Sequence, residues 1–132
     1  MIFLDSNVPM HLVGAEHPHK HDARRILERL IAASERLVTD VEVVQEILHR
    51  YIAIHRRDAI GPCIEALLGV ADEVFDIELG HVLRARDLLV ASTGLSARDA
   101  LHSAVMEHHG VSRIFSFDAG FDGVRGVERI HR

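Results

Sequence analysis

The sequence predicts an α/β protein built on a mainly parallel central sheet of four to five strands flanked by helices. Two observations carry this. Short runs of strand formers recur at Ile2–Leu4, Leu37–Thr39, Val74–Ile77 and Ile114–Phe117, and longer stretches with apolar residues at helical spacing separate them. Strands that alternate with helices are the order of a parallel sheet, because each crossover needs a long connection to bring the chain back. Strand order is left open by pattern alone.

Residues 1–5 read as strand one, which ends abruptly in Asp5. Residues 8–14 read as one or two helical turns, with Pro9 near the start and Gly14 at the end. The polar segment 16–21 is loop-like. Ala23, Ile26, Leu27, Leu30 and Ile31 then recur at helical spacing opposite Arg24, Arg25, Glu28 and Arg29, giving an amphipathic helix over 19–34. Residues 36–39 read as strand two. Thr39 and Glu42 have the spacing of a capping box, which opens a helix carrying Val43, Val44, Ile47, Leu48, Tyr51 and Ile54 to about Arg57.

A further helix is predicted over 59–70, with Pro62 in its first turn, followed by strand three over 73–77. Leu79, Val82, Leu83, Leu88 and Leu89 mark a helix stopping near Thr93–Gly94. Ser96 and Asp99 form a second capping-box pattern before a helix that closes at Gly110. Strand four covers 113–117 and ends at Asp118. Residues 120–123 are a turn, and 127–130 a short last strand.

At 132 residues the chain is expected to be one domain, 1–132, with no repeats or linkers. Its apolar runs are too short to cross a bilayer, and MIFLDS has no basic leader region, so no membrane partner is expected and a cytoplasmic location is. The single cysteine, Cys63, cannot form an intrachain disulfide, and its apolar helical setting reads as a buried structural thiol. Net charge is −5, which weighs against a nucleic-acid partner. The basic residues are nevertheless almost all Arg, which suits phosphate recognition. Cations bound by the acids would also cancel local charge.

Acids at exposed junctions are the strongest functional signal. Asp5 ends strand one, Asp118 ends strand four, Asp99 opens a helix, and Glu46 lies near the apolar side of its helix. Each has an ordinary reading: Asp5 as a helix cap, Asp99 as half of a capping box, Glu46 as a side chain reaching outward, Asp118 as a turn former. Jointly they suggest a site, because an open α/β sheet binds ligands at the carboxyl ends of its strands. Two carboxylates about 4 Å apart repel by roughly 4 kcal/mol at an effective dielectric near 20. Four gathered acids therefore call for a cation or raised pKa values. Oxygen-only ligands suit Mg²⁺ or Mn²⁺, and such a site activates water and stabilises a leaving oxygen.

The segments IFLDSNV, VVQEILHRY, LSARDALHSAVMEHHGV and IFSFDAGFDGV, in this order and spacing, resemble the four motifs of PIN-domain ribonucleases, specifically VapC-type toxins of toxin–antitoxin pairs. The resemblance covers nearly the whole chain. It implies a PIN-like three-layer sandwich and Mg²⁺-dependent endoribonuclease activity, with Mn²⁺ able to substitute. Carried over by position, Asp5, Glu46, Asp99 and Asp118 form the acidic quartet. Asp5, Asp99 and Asp118 would ligate the metal, and Glu46 would orient water or hold a second ion. Asp122 would be an accessory acid, with Asn7 and Ser116 as small polar supports. The resemblance also implies an RNA substrate cut to 5′-phosphate and 3′-hydroxyl ends, a homodimer, and a cognate antitoxin whose tail enters the acidic groove.

Arg98 beside Asp99 is a candidate RNA phosphate contact, or simply a solvated residue of the first helical turn. His17, His19 and His21 alternate near Glu16 and Asp22, which suggests either a transition-metal site or a polar loop. His108 and His109 suit a helix C-terminus and need no function. The Tyr51, Ile54 and His55 side of its helix reads as partner surface or as core and solvent-exposed positions. Two other functions are consistent with acids at strand ends: a metal-dependent phosphatase, and a non-catalytic PIN-like module that holds RNA or protein. The phosphatase lacks its D-x-D, since Asn7 follows Asp5 by two, and no phosphate-binding Gly-Lys loop is present.

Overall fold

The computed structural model describes residues 1–132. The strands are β1 (Ile2–Leu4), β2 (Leu37–Asp40), β3 (Glu73–Phe75), β4 (Arg113–Phe115) and β5 (Glu128–Ile130). The helices are α1 (Asn7–Val13), α2 (Pro18–Ala32), α3 (Val41–Ala53), α4 (Ile60–Val70), α5 (Leu79–Ala91) and α6 (Ala97–His108), with 3₁₀ turns at Arg57–Ala59 and Ala119–Gly123. Every element expected from the sequence is present, with ends displaced by one to a few residues.

The sheet is wholly parallel, in the order β3-β2-β1-β4-β5. Phe3 pairs with Val38 on one side and Ile114 on the other, so β1 lies at the centre. The chain winds outward through β2 and β3, then returns through α5 and α6 to place β4 on the opposite side of β1. The order therefore reverses between β1 and β4, and the crevice beyond their carboxyl ends is where such folds bind ligands. Ile2, Phe3, Leu4, Ile114 and Phe115 are fully buried, as central strands covered on both faces must be. Each such side chain contributes about 1.5–3 kcal/mol of burial.

Helices cover the sheet with the stripes their spacing gave. Ala23, Ile26, Leu27 and Leu30 of α2 are in the core, but Ile31, expected with them, is 52% exposed. Tyr51 of α3 is core and Ile54 is solvent-exposed. Cys63 is buried on α4, and burial pushes its thiol up to about 11, which leaves it an inert structural group. A separate small cluster of Ala85, Ala100 and Ala104 joins α5 to α6.

Two capping expectations need correction. Thr39 does not cap α3: its hydroxyl donates to the Leu4 carbonyl at 2.9 Å, locking β2 to β1. Asp40 is the cap, accepting the Val43 N–H at 2.9 Å. At α6 the Ser96 hydroxyl accepts the Asp99 N–H at 3.1 Å as expected. Helix α5 ends at Ala91, before Gly94. No helix is long and apolar enough to cross a membrane.

Candidate functional site

Asp5 follows β1 and is buried at 4% exposure. Its carboxylate is not a helix cap. One oxygen accepts the Ser6 N–H at 2.8 Å; the other accepts the Ser116 hydroxyl at 2.6 Å and the Asn7 amide at 3.2 Å. Asn7 also donates to Ser116 Oγ and accepts the Phe117 N–H, each at 3.2 Å. The Asp118 N–H donates to Ser116 Oγ at 3.0 Å. Asn7 and Ser116 thus tie the end of β1 to the turn after β4, fixing Asp5 and Asp118 on either side of the switch point.

Asp99 sits in the first turn of α6, brought to the same crevice. A Cβ placed on Gly120 would lie 3.1 Å from Asp118 Oδ1 and 3.2 Å from Asp99 Oδ2, so both carboxylates lie against the Gly120 backbone, and a side chain there would crowd them. Burial, then the charges of Asp118 and Asp5, push Asp99 up to about 6. Asp5 is raised as well, by burial foremost and with a contribution from Glu46, although His102 and Ser116 oppose this.

Glu46 does not reach outward. It is 6% exposed, and its Oε1 is 2.8 Å from His102 Nε2. The other ring nitrogen, Nδ1, is 2.8 Å from Asp40 Oδ2, and neither the imidazole nor Asp40 has exposed side-chain surface. Burial alone would lower the His102 pKa, but the two carboxylates hold it well above the usual value, which favours the charged ring. Glu46 is lowered despite its burial, because His102 bonds to it and is charged. Ligand atoms of Asp5, Glu46 and His102 lie within 4.8 Å of one another. Since both His102 nitrogens donate to carboxylates, the imidazole has no lone pair for a metal. The cluster is a set of carboxylate oxygens with a fixed cation beneath it.

Sequence reasoning missed Asp40 and His102. The signal was the i, i+3 spacing of Asp99 and His102, which turns both toward one side of α6, with His102 set among Ala100, Ala104 and Val105. A buried histidine there needs carboxylate partners, and Asp40 and Glu46 supply them.

Asp122 stands apart from the four acids. Arg129 binds it through two bonds of 2.7 and 2.9 Å and also donates to the Ser116 carbonyl at 3.2 Å. The Arg129 pairing holds the Asp122 carboxyl below its ordinary range. Arg98 is exposed, makes no ion pair, and lies close enough to Glu46 to help lower its pKa. His17 caps α2 through the His19 N–H and packs with His11 and His19, His19 stacks on Phe117, and His21 pairs with Glu16. The alternating histidines therefore do not converge on one point.

Oxygen donors from Asp5, Asp99 and Asp118, the last two set against Gly120, and raised carboxyl pKa values form a donor set that fits a hard divalent cation.

Comparison with known proteins agrees. The PIN-domain family model matches residues 2–127. Ribonuclease VapC13 of Mycobacterium tuberculosis is 58% identical over 130 residues, covering 98% of this chain and 99% of its own. Ribonuclease VapC23 of the same species is 39% identical over 118 residues, covering 89% of this chain and 93% of its own. Among solved structures, M. tuberculosis VapC20, described as a sarcin–ricin-loop-cleaving toxin, superposes with a TM-score of 0.76 at 23% identity, covering 97% of this chain and 99% of that one. A toxin–antitoxin complex from Klebsiella pneumoniae gives a TM-score of 0.69 at 17% identity, covering 97% and 96%. By its fold, by the family model and by its identity to these ribonucleases, the chain belongs to the PIN-domain family, in its VapC ribonuclease branch.

Proposed function

We propose that this single-domain protein is a Mg²⁺-dependent endoribonuclease acting as the toxin of a toxin–antitoxin pair, with Asp5, Glu46, Asp99 and Asp118 as its catalytic acids. The observation that carries this is the meeting of Asp5, Asp99 and Asp118 at the β1–β4 switch point, with Glu46 held beside Asp5. Asp5, Asp99 and Asp118 would hold Mg²⁺, with Mn²⁺ able to replace it. The bound ion would lower the pKa of the attacking water and offset charge at the phosphate. Asn7 and Ser116 keep Asp5 aimed into the crevice. Glu46, held through Oε1 by His102, would orient the attacking water and receive its proton. Arg98 steadies a neighbouring phosphate. Attack at phosphorus breaks the bond to O3′ and leaves a 5′-phosphate and a 3′-hydroxyl. Asp122 acts on the site only through Arg129.

Homodimers, and a cognate antitoxin that fills the acidic crevice with a cationic side chain, complete the proposal. The test is to map the ends of fragments from cellular RNA treated with partner-free protein, with and without co-purified antitoxin. New 5′-phosphate ends that vanish on adding the antitoxin support it. Fragments with 5′-hydroxyl ends would contradict hydrolysis by activated water.

A further inference from the structure

Helix α6 carries a second group of potential ligands at its other end, about 14 Å from Asp99 at 1.5 Å per residue. His81, in the first turn of α5, is buried, and its Nε2 lies 2.5 Å from Nδ1 of His108 in the last turn of α6. His109 follows, its ring stacked on Phe75 of β3 at 3.7 Å between centroids. Ring nitrogens of all three histidines lie within 4.8 Å of one another, beside a surface cavity of about 420 Å³ that Glu78 and Glu107 also line. The helix dipole accounts for His108 and His109 but not for His81, which comes from another helix.

We propose that His81, His108 and His109 bind a borderline transition-metal ion of the Zn²⁺, Co²⁺ or Ni²⁺ class, separate from the carboxylate crevice. Three imidazoles suit these ions and not Mg²⁺. Nitrogens bound at about 2.0–2.1 Å around a tetrahedral ion stand roughly 3.4 Å apart, so the rings need shift by only about 1 Å. His81 Nδ1 accepts the Glu78 N–H at 2.9 Å, which places its proton on Nε2. Coordination through Nε2 moves that proton to Nδ1 and gives up two hydrogen bonds, this one and the His81–His108 bond, in exchange for bonds to the ion. The ion would clip together residues 27 apart in sequence. That matters locally, because the buried packing between α5 and α6 is the small cluster of Ala85, Ala100 and Ala104, with partly buried Leu88, Leu89, Leu95 and Leu101 around it.

The test titrates Co²⁺ and Zn²⁺ into metal-stripped, tag-free full chain carrying Asp99→Asn, which weakens binding at the carboxylate crevice. One equivalent of Co²⁺ with imidazole-type visible absorption is expected, together with a Zn²⁺-dependent rise in Tm. His81→Gln and His108→Gln should each weaken binding at least about 100-fold and remove the rise. His108 is exposed, so His108→Gln folds and decides the matter even if His81→Gln does not. Absence of a tight equivalent, or binding unchanged in His108→Gln, would overturn the site and leave a hydrogen-bonded histidine cap only.

Discussion

Replacing Asp40 by Asn tests whether the centre of this fold holds a charged triad. The Asn oxygen keeps the 2.9 Å cap on Val43, so the helix start survives. What is lost is one of two 2.8 Å bonds to a His102 ring with no exposed surface. Removing one partner of a buried ion pair costs about 3–5 kcal/mol, because the other charge is left uncompensated. Against a total stability of about 5–15 kcal/mol this is large. With a urea slope of about 1–3 kcal/mol per molar, the unfolding midpoint should fall by about 2 M. In a His102→Leu background Asp40→Asn should cost far less, since its partner is already gone. A single-mutant cost under about 1 kcal/mol, or an unchanged cost in the double mutant, would refute the charged triad. The triad also fixes a pH dependence. His102 is raised above its ordinary 6.5, so its contribution is complete below that pH and is lost as pH climbs through the folded value.

Asp99 is raised to about 6 from 3.8, so between these values the metal-free fold loses stability as pH rises. After discounting for its partial exposure, Asp99→Asn should stabilise metal-free protein at pH 7 by about 1 kcal/mol in thermal or urea unfolding, and added Mg²⁺ should no longer help. Divalent-ion affinity, followed by calorimetry, should rise as pH passes upward through 6 in wild type. Gly120→Ala places a methyl at 3.1–3.2 Å from Asp118 and Asp99, and should cut cleavage at least about 100-fold while changing stability by under about 1 kcal/mol. Asp122→Asn should lower cleavage by less than about tenfold, against loss of about three orders of magnitude in Asp118→Asn, when both are assayed on one RNA. Arg98→Ala should raise KM for RNA several-fold at nearly constant kcat.

Much of this architecture is written locally. Ile2–Leu4 and Ile114–Phe115 are buried on both faces, so they read as uninterrupted apolar runs, and the acids that end them stand out. The arrangement of those acids is not local. Asp5 and Asp118 meet because β4 returns beside β1, and the pattern of residues does not encode that return. Thr39 misled because a hydroxyl before a helix has two uses, and the exposed-looking T-x-x-E spacing hides its bond across the sheet to Leu4. Asp40 went unnoticed for the same reason, as its cap role and its pairing with His102 use different oxygens. His102 lies 62 residues from Asp40 and 56 from Glu46, and only packing brings the three together. Asp122 reads in sequence as an accessory acid in a glycine-bracketed turn, but its pairing with Arg129, seven residues on, is not visible in that pattern.

The central claim is that carboxylates at the sheet's carboxyl edge hold a divalent ion that drives RNA cleavage. Its most direct test treats total cellular RNA with partner-free wild type and Asp99→Asn, each with Mg²⁺ and with chelator. Discrete fragments only from wild type with Mg²⁺ are predicted. Cleavage that survives the chelator or the Asp99→Asn change would contradict the account.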